Sequence, residues 1–65
     1  MLPASSQKVV DYNWPVVEHY AQIQVNKGFS KDKVLETMQD YLANKPFLVR
    51  ERKALFAKVE GLLDG

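Results

Sequence analysis

The feature that most constrains the fold of this chain is a short junction, Gly28-Phe29-Ser30. These residues carry the signals that end one helix and begin the next. Gly28 suits the left-handed position that follows a helix, and Phe29 comes next, where a side chain packs back onto the last turn. Ser30 is a favourable N-cap, and Phe29 and Val34 have the spacing of a hydrophobic staple. The three residues therefore predict two helices joined by a short loop, with Phe29 in the core.

Apolar residues recur with helical spacing on both sides of this junction. Upstream, the pattern predicts a helix over residues 14–27, with Pro15 in the first turn, where its missing N–H is tolerated. Downstream, it predicts a helix over residues 31–43 whose apolar arc is the most regular in the chain. That arc consists of Val34, Leu35, Met38, Tyr41 and Leu42.

A third helix is predicted over residues 48–63, after Asn44 and Pro46 end the second. Its apolar side comprises Leu48, Leu55, Phe56, Val59, Leu62 and Leu63. No alternating pattern typical of a strand extends over four residues or more. The predicted fold class is therefore all-α, a three-helix bundle, and a short additional helical turn over residues 7–12 is left open.

Length and composition limit the chain to one small core. A 65-residue chain buries only about 60% of the surface that its unfolded form exposes. Without cysteine it can have neither a disulfide framework nor a thiolate metal site, and a cytoplasmic location is the default expectation. We predict a flexible lead-in at residues 1–8 and a single helical domain at residues 9–65. No apolar run approaches the length of a membrane span, so no membrane association is expected.

Residues that commonly carry out catalysis or bind cofactors are sparse. His19, the single histidine, lies among polar residues, and the glycines form no phosphate-binding loop. Asp32, Glu36 and Asp40 share one face of the second helix, but metal sites in bundles need ligands that project inward from facing helices. This face is interpreted as solvated, with a partner-binding face as the alternative. We therefore predict no enzymatic activity, no metal, no cofactor and no small-molecule substrate.

The third helix has a side made of small and basic residues, opposite its leucines. Arg50, Ala54, Ala57 and Gly61 form this side, and Lys53 and Lys58 flank it. A helix face made of small side chains allows the backbone of another helix to approach closely. The flanking cations could bind an acidic helix or the phosphate groups of a nucleic acid. A solvated face on which alanine favours the helix is the simpler interpretation. The basic residues of helix three and the acidic residues of helix two are expected to pair either within one chain or between two copies.

The segment from Gly28 to Glu36 resembles the loop and second helix of ubiquitin-associated domains, in which a Gly-Phe loop precedes a helix that starts at Ser or Thr. In that family a methionine usually precedes the glycine and helps to bind ubiquitin, whereas this chain has Lys27 there. Any junction that combines a Schellman turn with a staple needs the same residues. The resemblance is therefore attributed to shared turn chemistry.

Aromatic residues provide a second candidate surface, on the first helix. Tyr12, Trp14 and Tyr20, together with Val16 and Val25, spread around more of that helix than a three-helix core can cover, and Trp and Tyr are frequent interface anchors. We predict a non-enzymatic protein-interaction or regulatory module that binds a protein partner, or a second copy of itself as a homo-oligomer, through helix surfaces. The expected contact residues are Tyr12, Trp14, Tyr20, Arg50, Lys53, Ala54, Ala57 and Lys58. The alternative is a small nucleic-acid-binding regulator that uses the basic third helix.

Overall fold

Three packed α-helices form the part of the chain that a computed structural model describes, residues 2–65. Helix α1 spans Ala4–Asn26, α2 spans Lys31–Ala43 and α3 spans Val49–Asp64. The predicted all-α three-helix bundle is confirmed. In residues 2–65, no helix combines the length and the hydropathy needed to cross a membrane.

Helix α2 runs antiparallel to both of its neighbours. Lys31, at the start of α2, forms an ion pair with Asp64 at the end of α3. Toward the end of α1, Gln24 contacts Met38 of α2. The two other helices, α1 and α3, therefore run in the same direction, in an up-down-up arrangement.

The core is built from apolar side chains of all three helices that are almost fully excluded from solvent. They are Val10, Val17 and Ala21 of α1, Val34, Met38 and Leu42 of α2, and Leu55 and Val59 of α3. In α2 these residues recur at every fourth position, and Leu35 and Tyr41 beside them are half-buried against the core. This arrangement confirms the apolar arc predicted for the second helix.

Helix α1 begins well before Trp14, the start that the sequence predicted, and it continues through Pro15. Residues 4–8, predicted to belong to a flexible lead-in, are helical, and the turn left open at residues 7–12 is part of the same helix. Packing accounts for the difference. Ser6 and Val10 are fully buried in the bundle, and this burial stabilises the helical turns that precede Pro15.

Replacing Pro15 should stabilise the protein, because this residue lies exposed in the interior of α1. Its ring crowds the preceding turn, and it lacks the N–H that would bond to the carbonyl of Asp11. Proline in a helix interior costs about 3 kcal/mol relative to alanine, and the freer unfolded chain of the variant offsets up to about 1 kcal/mol. We expect Pro15→Ala to raise the free energy of unfolding in urea by about 2 kcal/mol. If the helix began at Trp14, Pro15→Ala would not raise the free energy of unfolding, since proline is favourable in a first turn.

The loop between α1 and α2 has the geometry that the sequence predicted. Gly28 has a φ of 87°, in the left-handed region. The N–H of Phe29 donates to the carbonyl of Gln24 at 3.2 Å, and the N–H of Gly28 donates to that of Val25 at 3.0 Å. These two bonds define a Schellman motif and confirm the predicted end of the first helix.

Ser30 caps α2 as predicted, because its Oγ accepts a hydrogen bond from the N–H of Lys33 at 3.2 Å. The prediction that Phe29 is a core residue is wrong, since its side chain is 43% exposed. Backbone hydrogen bonds and the serine cap already determine the path of the loop. The ring lies at the end of the bundle, where no further layer of structure covers it.

Glu51 holds the start of α3. Leu48 occupies the N-cap position, where its side chain offers no acceptor, and its N–H donates to Oε1 of Glu51 at 3.0 Å. This bond is the glutamate half of a capping box. Leu48 itself is 52% exposed, so its predicted place on the buried apolar side is wrong. The N-cap precedes the first helical turn, and the helical periodicity of the buried face does not extend to it.

Candidate interaction surfaces

An exposed apolar row runs along α1, and we call it the α1 stripe. Its members are Tyr12, Val16, Tyr20 and Ile23. Successive intervals of four, four and three residues place these side chains on one face of the helix. Tyr12 is 84% exposed and Val16 61%, more than any other large apolar residue in the described part of the chain. The helix rises about 16 Å over these positions, which is enough to contact several turns of a partner helix.

Aromatic contacts connect the α1 stripe to α2. The ring centroids of Tyr20 and Tyr41 lie 4.7 Å apart, with an angle of 38° between the ring planes. Nζ of Lys45 lies 4.9 Å from the centroid of Tyr41. An aromatic pair of this kind contributes about 0.5–1.5 kcal/mol beyond its buried area. Tyr20 is therefore held in place by α2 while part of its ring stays accessible.

The charged residues around the α1 stripe are basic. In helical projection, Lys27 falls within the sector of the stripe and Lys8 lies about 40° beyond its Tyr12 edge, whereas Asp11 and Glu18 lie at least about 100° beyond that edge. Lys8 lies one turn before Tyr12, and Lys27 is the C-cap residue of α1. A partner with carboxylates at the edges of its apolar contact surface would therefore be complementary in charge.

The small basic side predicted on α3 does not form one surface. Ala54 packs against the core, Arg50 donates to a buried hydroxyl group of α1, and Lys58 lies over an aromatic ring of α1. Ala57 is exposed, and Lys53 is exposed at the edge shared with α2. Three of the five predicted α3 contact residues are thus engaged within the bundle.

Trp14 belongs to the interface between α1 and α3. It is half-buried and packs against the core, and Nζ of Lys58 lies 5.1 Å from its ring centroid. Of the aromatic residues predicted to contact a partner, Tyr12 and Tyr20 share one face and Trp14 does not. Val16 joins that face, in agreement with its place among the apolar residues that exceed what a three-helix core can cover. The interval of four residues between Tyr12 and Val16 is the sequence feature that could have indicated this shared face. It does so only for a helix that extends through residue 12.

A buried polar cluster fastens the start of α1 to the start of α3. The Ser6 hydroxyl donates to Oε2 of Glu51 at 2.9 Å and accepts a bond from Nε of Arg50 at 2.8 Å. Ser6 and Glu51 are both buried. With the bond from the N–H of Leu48, both carboxylate oxygens of Glu51 have a donor. This cluster positions the helices, and it holds the Nε of Arg50 against α1 while the residue remains exposed.

A groove of about 530 Å³ separates α2 from α3 on the outside of the bundle. Its lining consists of Gln39, Leu42, Ala43, Arg52, Lys53, Phe56 and Glu60. Arg52 is half-buried, and the single ion pair within residues 2–65 joins Lys31 and Asp64, so Arg52 has no carboxylate partner there.

The acidic residues of α2 do not pair with the cations of α3 within residues 2–65. Asp32, Glu36 and Asp40 are exposed, and Lys31 bonds instead to Asp64. The hydrogen bond and the charge of Asp64 raise the pKa of Lys31 above its ordinary value. The contribution of this surface pair is therefore present at neutral pH and is lost as the pH rises through that raised pKa. Nor do the described residues include a group of three or more His, Asp or Glu placed to hold a metal ion.

No protein-family model matches the chain, and comparisons with curated proteins and with solved structures give no match either. The resemblance to ubiquitin-associated domains is limited to the segment from Gly28 to Glu36. The α1 stripe and the groove between α2 and α3 are the surfaces from which a function is inferred.

Proposed function

We propose that this protein is a non-enzymatic interaction module that binds a helical segment of a protein partner through the α1 stripe. The exposure of Tyr12 and Val16, in one row with Tyr20 and Ile23, is the observation that carries the proposal. Single apolar residues on a surface need no explanation, but a contiguous row is typical of an interaction site. The cytoplasmic location expected for a chain without cysteine is retained as part of this proposal.

A helix is the partner element that fits the α1 stripe best. Side chains four residues apart form a ridge, and a second helix packs by placing such a ridge in the neighbouring groove. Tyr20 supplies an anchor whose ring is already held by Tyr41, so little side-chain entropy is lost on binding. Lys8 and Lys27 at the two ends favour a partner helix that carries carboxylates there.

Nucleic-acid binding through α3, the alternative, receives less support. Arg50 and Lys58 are exposed but each contacts α1, so the three cations of the predicted basic side do not form one free surface. Glu60 lies two turns beyond Lys53 along the same face of α3 and adds a negative charge to it. Retention of DNA or RNA at low salt that Lys53→Ala weakens would nevertheless favour this alternative.

Val16→Asp tests the proposed function, because it places a charge in the middle of the α1 stripe without altering the core. Immobilised wild-type protein should retain a partner from its native lysate that the Val16→Asp variant does not retain. Ala57→Asp is the matched control, since it introduces the same charge at an exposed position of α3 and should leave retention unchanged. Both variants should unfold within about 0.5 kcal/mol of the wild type. Equal retention by wild type and Val16→Asp would contradict the proposal.

The solution mass identifies whether the partner is a second copy. A dimer that forms with rising concentration and that Val16→Asp abolishes would assign the α1 stripe to self-association. A monomer at all concentrations, together with a lysate protein lost from Val16→Asp, would assign it to a different protein. The same variants thus distinguish the two kinds of protein partner.

A further inference from the structure

We propose that the groove between α2 and α3 binds a small amphipathic monocarboxylate, with Arg52 as the group that pairs with the carboxylate. No member of the α1 stripe lines this groove, so the inference is independent of the proposed protein partner. The sequence predicted no small-molecule substrate. The groove is formed by side chains of two helices and exists only in the folded chain.

Arg52 is the residue that points to an anion. It is half-buried in the lining, and within residues 2–65 no carboxylate forms an ion pair with it. Glu60, the acidic residue of the lining, lies two helical turns further along α3, a rise of about 12 Å. A guanidinium presents a planar fork of N–H donors that matches the two oxygens of one carboxylate. Arg52 therefore has both the geometry and the unpaired charge to bind such a group.

The remainder of the groove suits an apolar body attached to that carboxylate. Phe56, which is half-buried, contributes apolar surface to the lining, and Leu42 lies beneath the groove floor without exposed surface of its own. Gln39 and Ala43 form an uncharged wall on the α2 side. The volume of about 530 Å³ lies within the range of about 300–1,000 Å³ that is usual for small-molecule sites.

The surrounding charges limit the ligand to one negative charge. Lys53 adds to the positive potential near Arg52, but Glu60 lies in the other part of the lining. The lining therefore carries two cations and one carboxylate, a net charge of +1 that a single ligand carboxylate neutralises. A monocarboxylate with an aromatic or branched body is therefore the ligand class that fits.

Titration of the whole chain with 2-naphthylacetate, followed by backbone amide NMR shifts, tests the proposal. We expect saturable shifts concentrated at the groove residues of α2 and α3. The neutral analogue 2-naphthylacetamide should bind about tenfold more weakly, because it cannot form the charge-assisted pair with Arg52. Equal affinity for the acid and the amide, shifts centred on the α1 stripe, or no saturable shift would overturn the proposal.

Matched variants locate the contribution of Arg52. Arg52→Gln should weaken the binding of 2-naphthylacetate by about tenfold, whereas Lys8→Gln makes the same charge change outside the groove and should leave it unaltered. Ala43→Leu fills the groove without a change in charge and should also weaken binding. If Arg52→Gln failed to fold, the Ala43→Leu variant and the comparison of acid with amide would decide the question. Unchanged affinity in both groove variants would overturn the assignment.

Discussion

Leu55→Ala should lower the free energy of unfolding by about 3 to 4 kcal/mol, an effect as large as any expected from a single core truncation in this chain. Leu55 is fully buried and belongs to the core formed by all three helices. Its truncation removes apolar contacts and leaves a cavity that the packed helices fill only in part. A domain of this size has a stability of only about 3–5 kcal/mol from its core. Urea denaturation followed by far-UV circular dichroism should therefore show a largely unfolded variant.

Leu48→Ala is the matched control, because it also truncates a leucine of the predicted apolar side of α3, at the first position of that side. Leu48 is about half exposed, so its truncation should cost less than about 1 kcal/mol. The sequence pattern alone assigns both leucines to the buried side and expects similar losses. Comparable destabilisation by the two variants would contradict the packing of α3 described above.

Glu51→Ala should destabilise the protein by about 2 to 4 kcal/mol, although glutamate is usually a surface residue. Glu51 is buried and accepts hydrogen bonds from the N–H of Leu48 and from the Ser6 hydroxyl. Without the carboxylate, both donors lose their acceptor, and each buried polar group left unpaired costs about 1–3 kcal/mol. Urea denaturation measures the total loss, and amide hydrogen exchange at Leu48 should report faster opening at the start of α3.

Glu60→Ala is the corresponding control, since Glu60 is an exposed glutamate of the same helix. It should change the free energy of unfolding by no more than about 0.5 kcal/mol. Glu51→Gln should fall between the two variants, because its amide oxygen still accepts one of the two hydrogen bonds. If Glu51→Ala were as mild as Glu60→Ala, the buried cluster that joins α1 to α3 would not contribute to stability.

The substitutions that test function lie outside the core that these stability variants probe. Val16, Ala57 and Ala43 are exposed, and Arg52 is half-buried at the groove. Stability and binding can therefore be measured separately in the same set of proteins. Loss of binding with unchanged unfolding would identify a contact, whereas loss of both would identify a structural role.

The sequence by itself determined those features that depend on near neighbours in the chain. The number of helices, the Schellman turn at Gly28, the cap at Ser30 and the buried arc of α2 were all predicted correctly. Each rests on hydrogen bonds or side-chain periodicity within a few residues. Such interactions join residues that are close in the sequence, so they can be recognised before the fold is known.

Tertiary structure decided the features that depend on residues far apart in sequence. Ser6 and Glu51 are 45 positions apart, and their hydrogen bond helps to extend α1 ahead of Pro15. The exposure of Phe29 depends on where the bundle ends, and the groove beside Arg52 depends on how α2 and α3 pack. Local propensity carries no information about these distances, because burial against another helix outweighs the preference of a single residue. The sequence therefore specified a small helical bundle, whereas the packing of its helices decided which side chains are left exposed to bind a partner.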